Sequence, residues 1–196
     1  MALRELGASL LECYKVQGNI KDLNRAIELH EKIFVFFPES DEEHGVISHN
    51  LALCLSALYN KLINQTDLNR AIDLQEKYLE LHPQDHSAHG IFLWALGATL
   101  KKCYMKTESY SDLVRAIHLW KNALNIYPVQ YHHFAAVASG LAATMIFAFK
   151  SSQSCLTSEQ PPSLDETFQI YRLLKRYSPP VSLDLWDATE EMDMGC

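Results

Sequence analysis

The sequence predicts an all-α protein, a solenoid of four two-helix repeats, and three observations predict it. First, the segment from Asp22 to Ile27 (DLNRAI) returns 45 residues later as Asp67 to Ile72 (DLNRAI), and again as Asp112 to Ile117 (DLVRAI). Second, the same 45-residue interval links Leu6, Leu51, Leu96 and Leu141, then Tyr14, Tyr59, Tyr104 and Phe149, then Pro38, Pro83 and Pro128. Third, apolar residues inside each period recur at spacings of three and four, which sets them on one face of a helix. Self-similarity at a fixed period of this size is the signature of a repeat array.

Within each period the first helix carries a face such as Leu6, Leu10 and Tyr14. The column after the leucine holds Gly7, Ala52, Gly97 and Ala142, all small, as close approach of a neighbouring backbone requires. The second helix carries the stripe Leu23, Ala26, Ile27, Leu29, Ile33 and Phe36, matched by Leu68, Ala71, Ile72, Leu74, Tyr78 and Leu81. Asp22, Asp67, Asp112 and Ser163 stand where an N-cap is expected, and the proline column ends the second helix. The fourth unit keeps register through Phe149. Its second half, from Ser163, is displaced by six residues, which puts Pro179 in the proline column and a Ser- and Pro-rich loop between residues 151 and 162. The expected repeats are about 1–44, 45–89, 90–134 and 135–180, followed by an acidic tail, 181–196. Leu3 and Leu6 fall on an end face, so the expectation there is a longer array or end-on association, self-association included.

The residues Leu96-Gly97 with Tyr104, then Ala116, Trp120, Ala123 and Pro128, resemble the tetratricopeptide repeat. The 45-residue period and the D-L-x-x-A-I phrase resemble the long variant found in fungal proteins, often beside a CHAT domain (a caspase-like module) or a nucleotide-binding signalling ATPase. The likeness covers roughly residues 2–180, with Tyr104 one turn beyond the usual tyrosine position and Ala52 in place of glycine after Leu51. It implies a right-handed solenoid that binds a peptide or helix of another protein without catalysis. A second implication is a regulatory arm of a CHAT-type protease or signalling ATPase. First helices line the concave groove in that family, where Lys and Asn can clamp a peptide carboxylate. Asn50, Lys101 and Lys102 are therefore the candidate partner-binding residues, with Lys61 and Lys106 nearby; an ordinary solvated helix face explains the same residues.

Composition narrows the rest. The formal net charge is −7, and five acids (Asp184, Asp187, Glu190, Glu191 and Asp193) lie beyond Tyr177, where there is no Lys or Arg. The body is close to neutral, which argues against nucleic acid as a partner. Five scattered cysteines without a C-x-x-C pair read as reduced thiols and a cytoplasmic setting. His82, His86 and His89 straddle Pro83 and so share no helix face, and His44 repeats at His89; no metal or other cofactor is expected. His132-His133 in the next linker reads the same way. Cys13 and Cys103 recur beside Tyr14 and Tyr104, which favours packing over a nucleophile. The apolar run Phe134–Phe149 is shorter than the ~20 residues of a membrane span and keeps repeat register, so no membrane role is expected. In the tail, Val181, Leu183, Leu185 and Trp186 precede the acids, as in a docking segment, a cap on the last repeat or a frayed end.

Overall fold

The computed structural model describes residues 2–39, 41–82, 88–127, 132–154, 168–170 and 172. Seven helices are complete among them: α1 (Ala2–Gln17), α2 (Ile20–Phe34), α3 (Glu42–Leu62), α4 (Gln65–Leu81), α5 (His89–Thr107), α6 (Tyr110–Ile126) and α7 (His132–Ser154). The described residues contain no strand. The tail, Ser163, Pro179 and His86 lie outside them. The chain divides into two compact units, residues 1–119 and 120–196.

In the first unit each helix packs on the next, from α1 on α2 to α4 on α5, and the odd-numbered helices α1, α3 and α5 also touch in succession. The apolar columns of the sequence become this core. Leu51, Ala52, Leu55 and Ala71 cluster with Ile27 of the preceding pair and with Leu74. One period later, Leu96, Leu100 and Ala116 cluster with Ile72 and Leu79 of the preceding pair and with Leu119. Helix pairs are thus joined by an isoleucine from one second helix inserted against two leucines of the next first helix. In the second unit the α7 residues Val137, Ala138, Leu141, Ala142, Met145 and Ala148 are fully buried. Their three- and four-residue spacing makes one helix face, which accounts for the apolar run without a bilayer. No helix among the described residues is long and apolar enough to cross a membrane.

The caps differ from the sequence expectation. Asn19 and Asn64, not Asp22 and Asp67, cap α2 and α4, their Oδ1 atoms accepting from Lys21 N at 3.2 Å and Thr66 N at 3.1 Å. Asp22, Asp67 and Asp112 sit inside the first turn, where a carboxylate meets the positive end of the helix dipole. The second-helix stripe also ends sooner than expected. Phe36 lies past the end of α2 and is 80% exposed, and Leu81 in the last turn of α4 is 48% exposed.

The turn inside the first three pairs repeats in the backbone where the side chains do not, whereas the next position in the column, Gln153, is still within α7. Gly18, Ile63 and Glu108, spaced 45 apart, have φ of 69°, 55° and 55°. Each donates its N–H to the carbonyl of the tyrosine column, Tyr14, Tyr59 and Tyr104, at 2.7–2.8 Å. This is a left-handed helix stop, which glycine adopts freely and a β-branched residue resists. Ile63 is exposed and forms no part of the core clusters, so Ile63→Gly is expected to stabilise the chain by about 0.5–1 kcal/mol, read as a higher urea midpoint at constant slope.

Candidate functional site

The first helices α3 and α5 run side by side and carry the three residues proposed from sequence. Lys102 on α5 is the best defined. Its Nζ donates to Ser56 Oγ on α3 at 2.7 Å, and burial holds its pKa below the usual lysine range. Ser56 is itself buried. Among the described residues no carboxylate forms an ion pair with Lys102, so its positive charge is met by a neutral hydroxyl. A half-buried ammonium in that state gains from any anion that reaches it, because the charge is already partly desolvated. Lys101 is half-buried in the register column of Ser56. Asn50 is half-buried on α3, two helical turns before the position equivalent to Lys102. Lys61 and Lys106 are exposed in the last turns of their helices. Ser56 escaped sequence reasoning, since a lone serine within an apolar helix carries no motif.

The histidines are built into packing. His82 caps α4; its ring stacks on Tyr78 at 4.0 Å, and its Nδ1–H donates to the Tyr78 carbonyl at 3.0 Å. Tyr78 stacks in turn on Phe92 at 3.5 Å and 9°, and Phe92 meets His49 at 5.2 Å. His44 lies against Phe34 at 4.3 Å. His44 and His89 are buried at the starts of α3 and α5, their shared column. Among the described residues no group of three His, Cys, Asp or Glu side chains is placed to hold a metal ion.

Two buried polar side chains share another column that the period could have disclosed. His30, Gln75 and Trp120 are 45 apart and all buried. Both ring nitrogens of His30 and the Gln75 Oε1 lack hydrogen-bond partners among the described residues. His30 fills the space over Gly7, where an added Cβ would stand 2.7 Å from its Nε2. Burial lowers the His30 pKa and keeps the ring neutral.

The thiols divide by environment. Burial pushes Cys54 up to about 12 and, with Asp112 beside it, raises Cys103 as well. Both stay protonated at neutral pH, the unreactive form. Cys13 is exposed. Iodoacetamide at pH 8 is expected to modify Cys13 well before Cys54 and Cys103, read by peptide mass spectrometry; equal rates at the three would contradict these burials.

No known family's profile matches the chain, and no curated protein is detectably similar to it.

Proposed function

We propose that this chain is a noncatalytic protein-interaction module, a right-handed solenoid of four tetratricopeptide-like repeats that binds a peptide or helix of a partner protein on the face carrying Lys102. The observation that carries this reading is the Lys102–Ser56 pair, a partly desolvated cation held between two first helices with no carboxylate of its own among the described residues. A partner carboxylate would supply that charge. The 45-residue period, the leucine, small-residue and tyrosine columns, and the left-handed stop repeated after α1, α3 and α5 support the repeat assignment.

The test uses fluorescent peptides of mixed sequence, each made with a free C-terminal carboxylate and as its amide. Saturable binding is expected for a subset of the carboxylates, weakened about tenfold by amidation and by Lys102→Gln. Binding that ignores both changes would reject the site. Absence of binding by every peptide would reject the module reading.

A further inference from the structure

The end face of the first helix pair shows what it is shaped to receive. In the second and third pairs, the first-helix leucines Leu51 and Leu96 are 1% exposed, while their equivalent Leu6 is 48% exposed and Leu3, one turn earlier, 49%. The difference has an identified cause. Leu51 and Leu55 are covered by Ile27, and Leu96 and Leu100 by Ile72 and Leu79, each from the preceding second helix. Nothing among the described residues does this for Leu6.

The same preceding helices also supply a charge. Glu31, one turn after Ile27, pairs with Arg70 at 2.5 Å, and Glu76, one turn after Ile72, pairs with Arg115 at 2.6 Å. The residue equivalent to Arg70 and Arg115 is Arg25. It is exposed, and its ion pair is with Glu28 on its own helix. Leu6, Leu10 and Arg25 therefore repeat the receiving half of a junction that the chain makes twice elsewhere.

We propose that this end face, separate from the Lys102 face, docks an amphipathic helix of a partner protein. Its contact stripe carries an apolar residue, a carboxylate four residues on and a second apolar residue seven on, as Ile72, Glu76 and Leu79 do. The proposal rests on the reading of the chain as an interaction module only in taking the partner to be a protein. A second copy stacked head to tail fits less well. Phe168, which is 58% exposed, occupies the isoleucine column in the shifted fourth repeat, but Arg172 then occupies the glutamate column and would face Arg25 of the next copy. Like charges at that spacing repel.

The probe is a C-terminally amidated fluorescent peptide of residues 64–82 from this chain, titrated into the full chain. Saturable binding to a monomer is expected. Leu6→Asp should weaken it at least about tenfold. Arg25→Glu should weaken it about fivefold, and a Glu76→Lys peptide should recover most of that loss. Leu6 and Arg25 are exposed, so both variants should keep the parent helicity; Leu3→Asp provides a second disruption should one of them lose it. Lys102→Gln should leave binding unchanged, so a failed carboxylate site and a failed end face give different results. No peptide binding would overturn the proposal, as would binding indifferent to Leu6→Asp and Arg25→Glu. Concentration-dependent assembly of the chain, abolished by both Leu6→Asp and Phe168→Asp, would overturn it in favour of a second copy.

Discussion

Lowering the pH from 7 to 4 is expected to destabilise the first unit by several kcal/mol, with His49 the largest contributor. Burial lowers the His49 pKa from its ordinary 6.5 to about 4, Lys15 adding a smaller push in the same direction. Its Nδ1 has no hydrogen-bond partner among the described residues, and its ring lies against Phe92. The neutral form is therefore the one the fold accommodates. For a histidine whose folded pKa is depressed, the unfolded chain binds the extra proton first. The stabilising term is complete above the unfolded value near 6.5 and declines as pH falls towards the folded value near 4. Over that window His49 alone accounts for about 3 kcal/mol. His30 and His44 are shifted in the same direction, chiefly by burial, and add to the loss. Urea midpoints between pH 7.5 and 4 should fall with pH, and His49→Leu should flatten much of the slope. A slope unchanged in that variant would remove His49 from the account.

Gly45→Leu is expected to cost about 3 kcal/mol or more, at the upper end of overpacking in a close-packed core. A Cβ at residue 45 would run into the Tyr78 ring. That ring cannot simply turn aside, because Phe92 and His82 both stack against it, joining α3, α4 and α5 through one run of aromatic side chains. Gly45 and Gly90 are one period apart and both buried in the first turn of their helices, so the small residue belongs to the repeat design. The cause is separable by a double-mutant cycle: with Tyr78→Leu in the background, Gly45→Leu should cost less than in the parent chain. Equal costs in the two backgrounds would place the clash elsewhere.

The period was legible because the residues that join helix pairs are apolar and large, and their spacing survives in Leu51, Leu96, Ile27 and Ile72. The caps were misread because an aspartate in the first turn and an asparagine just before it both favour a helix start, and the aspartate sits in the more conspicuous phrase. The helix stop left a sequence signal only at Gly18, which the repeat columns did not include; Ile63 and Glu108 adopt the same left-handed backbone against their own preference, imposed by the packing of the helices on either side. Phe36 and Leu81 continued the periodic stripe in sequence but lie at or beyond the helix end, where the apolar period no longer points at the core. Of the candidate site, Lys102 could be named from its place on a first helix, whereas its contact with Ser56 spans two helix pairs and leaves no local pattern.

The central claim is that 45 residues form one structural unit whose junctions are interchangeable. Deleting residues 45–89 joins His44 to Gly90 in register and offers Leu96 and Leu100 the Ile27 side chain in place of Ile72. The shortened chain is expected to keep its helicity per residue by circular dichroism and to unfold cooperatively in urea, while a deletion of 45–87, two residues out of register, loses both. A 45–89 deletion that is unfolded, or no better than the out-of-register one, would contradict the repeat.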